Sequence, residues 1–95
     1  MFRITKIFEN PSLAIYKIEG KIADENLPVW ISELDALQNH AGRQLILDFS
    51  QVWSINAKAI EMLMAHLTNG TRVMNPSMDM RNMLHAVGLS SKVLE

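Results

Sequence analysis

The sequence predicts a small α/β domain with a mixed β-sheet and helices packed on it, in the order ββαβαβα. Three observations carry that reading. Two segments rich in β-formers open the chain on either side of Asn10-Pro11-Ser12, a turn signal. Amphipathic stretches of helical period then alternate with short apolar runs, which implies crossover connections between strands of one sheet. Finally, 95 residues with a hydrophobic share of 48% suit a single core, since one domain spans roughly 100–150 residues. The expected organisation is one domain over residues 1–95, with no linker, repeat or low-complexity tract.

Each element has its own signal. Residues Phe2 to Glu9 alternate apolar and polar through Phe2 and Ile4, then Ile7 and Phe8, as a half-buried strand does. Leu13-Ala14-Ile15-Tyr16-Lys17-Ile18 follows as its hairpin partner, and Gly20 breaks or bulges that strand before Lys21-Ile22. Asp24 is placed to cap a helix over Glu25–His40, with Pro28 in the first turn, where a missing N–H does little harm. Its core stripe is Leu27, Trp30, Ile31, Leu34 and Leu37, and Gly42 stops it. The apolar run from Gln44 to Phe49, with Asp48 near its end, has the character of a central strand covered on both faces. Asn56 caps a second helix with Ala57, Ile60, Leu63, Met64 and Leu67 inward, ended by Asn69-Gly70. Thr71–Met74 is a short strand and Asn75-Pro76-Ser77 a turn. Ser77 caps a last helix with Met80, Met83, Leu84 and Val87 inward, closed by Gly88.

Composition excludes several function classes. Net charge is −1 and the basic residues are scattered, so no basic run exists to release counterions from a phosphate backbone, and nucleic acid is not an expected partner. Cysteine is absent, which removes disulfides, thiolate metal sites and cysteine nucleophiles together. The apolar stretches are too short to span a bilayer, and MFRITKIFEN lacks the apolar block of a signal peptide. Asn69-Gly70-Thr71 fits a glycosylation sequon by chance. A cytoplasmic protein without membrane insertion is expected.

Catalytic constellations are equally scarce. His40, His66 and His85 show no ligand spacing, so no metal is expected; His66 and His85 fall near helix C-termini, where an imidazole suits the dipole. No GxGxxG, Walker A or GxSxG pattern occurs, and no cofactor is called for. Asp48 reads as structural, because one acid without a partner has no acid–base mechanism. Trp30 belongs to a core stripe. Trp53, in a loop before the second helix, is left open between burial and an exposed anchor. The late methionines (Met62, Met64, Met74, Met78, Met80, Met83) fill an irregular core in the simpler reading and form an adaptable surface in the other.

The segment Leu45-Ile46-Leu47-Asp48-Phe49-Ser50-Gln51-Val52, continued by Trp53-Ser54-Ile55-Asn56-Ala57-Lys58-Ala59-Ile60, resembles the signature of the STAS domain. That family includes the anti-sigma factor antagonists and the cytoplasmic tails of sulfate transporters. Ile18-Glu19-Gly20-Lys21-Ile22-Ala23 is similar to the family's hydrophobic-x-Gly-x-Leu-Asp stretch. Asn75-Pro76-Ser77 with Arg81 to Leu89 resembles its closing turn and helix, so the likeness spans roughly residues 13–94. It implies a STAS-like fold, whose usual final strand is reduced here to Lys92-Val93-Leu94. In anti-sigma factor antagonists a partner kinase phosphorylates the serine at the start of the second helix. Aligned on Asp48 and Val52, that position is Ala57, flanked by Asn56, Lys58 and Ala59 in place of the family's aspartate, serine and glycine. The resemblance therefore implies a bacterial regulator that lacks the phosphorylatable serine.

The expected function is a non-catalytic protein–protein interaction module resembling an anti-sigma factor antagonist. Family logic puts the partner-binding face at Trp53, Ser54, Asn56, Ala57, Lys58 and Glu61. The partner class is an anti-sigma factor or serine-kinase-like protein, or a subunit of a membrane transport complex. Weak nucleotide binding at the second helix's N-terminus, helped by Lys58, is the alternative. An enzyme is not expected, since nothing pairs a nucleophile with a base. A homodimer stays open.

Overall fold

The computed structural model describes residues 1–37, 42–67 and 70–94, which form one five-stranded sheet with its strands in sequence order. β1 (Phe2–Asn10) and β2 (Leu13–Ile22) make the antiparallel hairpin. Its turn is closed by Asn10, whose Oδ1 accepts from the Ser12 N–H at 2.9 Å and from the Ser12 hydroxyl at 3.1 Å. β3 (Gln44–Ile55), β4 (Thr71–Met74) and β5 (Val93–Leu94) add in parallel. Between them run α1 (Leu27–Leu37), α2 (Ala57–His66) and α3 (Met78–Ala86), with short 3₁₀ turns at Asp24–Asn26 and Ser90–Lys92. β5 extends the expected order to ββαβαβαβ.

Parallel crossovers that step in one direction across a sheet, all of the same hand, put their helices on one face. Burial follows that rule. Ala14, Ile18 and Ile22 of β2, Leu45, Leu47 and Phe49 of β3, and Val73 of β4 are buried. Their alternate neighbours Ile15, Lys17, Ile46, Arg72 and Met74 stay partly exposed. The apolar run in β3 is therefore covered on one face, not on both as the sequence implied. Asp48 is the exception on the uncovered side, at 8% exposure.

Trp30 holds the helix layer to the sheet. Fully buried, it meets Phe2 and Phe49 edge-on, with centroids at 5.5 and 6.4 Å. Its Nε1–H donates to the Ala59 carbonyl of α2 at 3.0 Å. At the other end of the sheet the Glu9 carboxylate collects Lys6 and Arg43, tying β1 to the start of β3. The Lys6 and Arg43 hydrogen bonds hold its pKa down to about 2.

Several local expectations need correction. Asp24 does not cap a long helix: a 3₁₀ turn precedes α1, closed by the Ala23 N–H donating to Asn26 Oδ1 at 3.0 Å. The end of that helix toward His40 lies outside the described residues, as does Asn69 of the Asn69-Gly70 stop. Ile31 and Val87 are exposed and Ala57 faces solvent, whereas Trp30, Leu34, Leu37, Ile60, Leu63, Met80 and Leu84 are inward as expected. Ser77 caps α3 through its hydroxyl, which accepts from Met80 N–H at 3.2 Å. No helix among the described residues is long and apolar enough to cross a membrane.

Candidate functional site

β3 outruns its neighbour. β4 pairs with it only from Leu45 to Asp48, and beyond that point its partner among the described residues is β2. There the register slips twice, between Lys17 and Glu19 and again between Gly20 and Lys21, so β3 contributes extra residues opposite β2. A bulge of this kind bends the strand and re-aims a side chain. Trp53 is the extra residue of the second slip, between the pairs Gly20↔Val52 and Lys21↔Ser54. The result is an indole that is 74% exposed, with Lys21 Nζ 6.0 Å from its ring centroid. Trp53 thus sits in a paired strand, not in the loop that its sequence context implied.

Gly20 permits this arrangement. Its φ is +103°, and a Cβ there would stand 2.5 Å from the Met1 carbonyl oxygen, so only glycine lets β1 lie this close. Asp48 anchors the other side of the bulged segment. Its Oδ1 accepts from the Ser50 N–H at 2.9 Å and the Asn75 amide at 3.3 Å. Burial opposes the charge, but the Ser50 and Asn75 hydrogen bonds and the nearby Lys17 outweigh it and hold the carboxyl below its ordinary pKa. Asp48 joins β3 to the turn after β4, the structural role its isolation predicted.

Past Ile55 the chain enters α2 through Asn56. Its Oδ1 accepts from the Ala59 N–H at 2.9 Å, while its Nδ2 donates to Asp24 Oδ1 at 2.8 Å. The cap expected at Asn56 is present, and Asp24 serves it. Ala57, Lys58 and Glu61 are exposed on the first turns, and Ser54 is half-buried. Two hollows flank Trp53. A shallow one of about 570 Å³ lies against Phe2, Arg3, Glu19, Gly20 and Gln51. A smaller one of about 200 Å³ runs between Val52, Ser54 and Ile55 and the start of α3 at Ser77 and Asp79.

Trp53, Ser54, Asn56, Ala57, Lys58 and Glu61 thus follow one another from the bulged end of β3 into the first turns of α2. Sequence reasoning missed Lys21, Ser77 and Asp79 as neighbours. A signal existed, because strands in parallel array put their C-terminal ends, and the helix starts that follow, along one edge. The histidines lie elsewhere: His66 between Asp35 and the Met62 carbonyl, and His85 against Ser90. His40 is outside the described residues. Among those described, no three metal-ligating side chains gather.

No family model matches the sequence, and no curated protein matches it. Solved structures do match in shape. The Bacillus cell fate determinant SpoIIAA in its phosphorylated form superposes with a TM-score of 0.74 at 12% identity, covering 97% of this chain and 89% of that one. An anti-sigma factor antagonist from Mycobacterium paratuberculosis gives 0.72 at 18% identity over 96% and 83% of the two chains. The STAS domain of an antisigma-factor antagonist from Rhodobacter sphaeroides gives 0.61 at 17% identity over 76% and 82%. The mixed five-stranded sheet with its three helices matches the STAS fold of SpoIIAA.

Proposed function

We propose that this chain is a non-catalytic interaction module of the anti-sigma factor antagonist kind, docking a cytoplasmic regulatory protein without a phosphoserine switch. The observation that supports it is the exposed first turn of α2 on a SpoIIAA-like fold; the sequence resemblance puts Ala57 at the family's serine. The partner-binding residues are Trp53, Ser54, Asn56, Ala57, Lys58 and Glu61. Lys58 places a cation at a helix N-terminus, the end whose dipole prefers anions, at a cost of a few tenths of a kcal/mol. Contact with a partner carboxylate supplies a reason for that choice. Without a hydroxyl at position 57, control passes to the partner. Nucleotide binding at this helix start is the second reading, and Asn56 competes with it by already accepting from the Ala59 N–H, one of the donors a phosphate could use.

Affinity capture from native-source lysate, with tagged wild type and Lys58→Glu side by side, tests the reading. Capture of a kinase-like regulator by wild type, lost with Lys58→Glu and without phosphate on the recovered chain, supports it. Equal capture by both proteins removes the α2 face from the assignment.

A further inference from the structure

The face of the sheet opposite the helices has a composition of which the reading above uses only Trp53. Register places Phe8, Ile15 and Ile46 in one row across β1, β2 and β3, followed by Arg72 of β4. The next row holds Lys17, Asp48 and Met74. Arg3 and Glu19 pair farther along, beside Gln51 and the exposed indole of Trp53. Among the described residues, basic side chains (Arg3, Lys17, Lys21, Arg72) outnumber acidic ones (Glu19, Asp48) on this face. Both acids are engaged within it: Glu19 by Arg3 and Lys17, and Asp48 by Ser50 and Asn75. The helix layer has the opposite balance, with Asp24, Glu25, Glu33, Asp35, Glu61 and Asp79 against Lys58, Arg81 and Lys92. Apart from the Lys6–Glu9–Arg43 cluster at the end of the sheet, the charges of the described residues thus divide by layer.

We infer that the uncovered sheet face is a second docking surface, shaped for an acidic amphipathic helix of another protein. From the Leu13↔Gln44 pair to the Lys21↔Ser54 pair is eight residues of β2, roughly 26 Å at about 3.3 Å per residue. A helix of about 17 residues has that length at 1.5 Å per residue. Its apolar stripe seats on Trp53 at one end and on Phe8 and Ile15 at the other. Carboxylates beside the stripe meet Lys17, Lys21 and Arg72. This is helix recognition by spaced apolar anchors, with charge choosing the partner and its direction. The face lies across the sheet from Lys58, so of the residues assigned to the α2 surface it shares Trp53 and leaves Ala57, Lys58 and Glu61 free.

The test titrates the whole chain with two synthetic helical peptides of about 17 residues. They share the same leucine stripe and carry glutamates in one and lysines in the other. Trp53 emission and backbone amide shifts are the readouts, with the buried Trp30 adding a constant background. The acidic peptide should saturate, blue-shift the emission and move amides of β2 and β3. The Lys21→Glu/Arg72→Glu variant should weaken it by about tenfold, equivalent to roughly 1.4 kcal/mol, and favour the lysine peptide, with an unchanged melting temperature. Lys58→Glu should leave it alone, which separates this surface from the α2 face. Equal affinity for the two peptides, shifts confined to the helices, or no saturation at millimolar peptide would overturn the inference. So would a concentration-dependent dimer abolished by Arg72→Glu, or vesicles of phosphatidylglycerol that bind the chain while the acidic peptide does not.

Discussion

Trp30 is the residue whose removal tests the account of this fold most directly. It joins three elements: its ring lies edge-on between Phe2 of β1 and Phe49 of β3, and its N–H reaches the Ala59 carbonyl of α2. Two variants separate these contributions. Trp30→Ala removes the whole buried indole and leaves a cavity, a change that costs about 3–5 kcal/mol in well-packed cores. Trp30→Phe keeps a ring between Phe2 and Phe49 but loses the hydrogen bond, worth ~1 kcal/mol. With the smaller ring's lost contacts, about 1–2 kcal/mol is expected for Trp30→Phe. A domain of this size holds about 5–15 kcal/mol in total, so Trp30→Ala should lose a large part of its stability.

Urea denaturation followed by far-ultraviolet circular dichroism measures both, the midpoint moving while the slope stays constant. A Trp30→Ala loss below about 2 kcal/mol would refute the view that the indole unites helix layer and sheet. A Trp30→Phe loss indistinguishable from zero would show that the bond to Ala59 contributes nothing. If the two variants cost the same, the bond and not the packing would dominate, and the ring contacts would have to be discounted.

Three further expectations follow from the same geometry. Asn56→Ala deletes the α2 cap and the link to Asp24, and should destabilise by ~1 kcal/mol in the same urea assay, with Asn56→Ser recovering part of it. Gly20→Ala sets a Cβ against the Met1 carbonyl at a φ of +103° and breaks the Lys21 N–H bond to that carbonyl; loss of hydrogen-exchange protection at Lys21 and along the start of β1 is expected, and unchanged protection would contradict the close approach. His66 is held between the Met62 carbonyl and the Asp35 carboxylate, which raise its pKa above the ordinary 6.5 against the opposing effect of burial. A raised folded value means that its stabilisation is complete below pH 6.5 and is lost as pH climbs through that folded value. Proton NMR titration of the ring should show this, and Asp35→Asn should lower the midpoint.

Much of the fold was legible because its signals are local. Asn10-Pro11-Ser12 carries its own turn chemistry, and the Ser12 contacts to Asn10 require nothing from elsewhere. Asn56 and Ser77 satisfy helix N–H groups three residues on, which a sequence shows directly. The stripes of α1 and α2 fix which side is buried, but not how wide the covered arc is. Hence Trp30 and Leu34 are buried as the stripe predicts, while Ile31 at the stripe's margin is exposed. Asp24 shows the limit of the capping signal: an acid ahead of a helical pattern satisfies the rule, yet here its carboxylate accepts from Asn56, far away in the chain. The both-sided burial read into β3 failed for a similar reason. An apolar run records the character of a strand, and only the direction of the crossovers decides whether a second layer covers it.

The candidate site depends on a relation between two strands that neither contains alone. Ser50 to Ile55 has no continuous apolar run, so it reads as a loop; it remains a strand because β2 extends beyond the last pair that β4 makes with β3. The slip at Trp53 then exists only as a mismatch between the lengths of two paired segments. Its consequence bears on binding. An anchor carried on a free loop must lose backbone freedom when it docks, a cost of about 1–2 kcal/mol per residue ordered. Val52 and Ser54 on either side of Trp53 are already fixed against Gly20 and Lys21, so the indole can meet a partner with most of that ordering done during folding. The same slip sets Trp53 beside Lys21, which gives the apolar anchor a cationic neighbour. An exposed tryptophan costs a free domain solubility, and holding one rigidly in a bulge is a use of the strand that packing alone does not require.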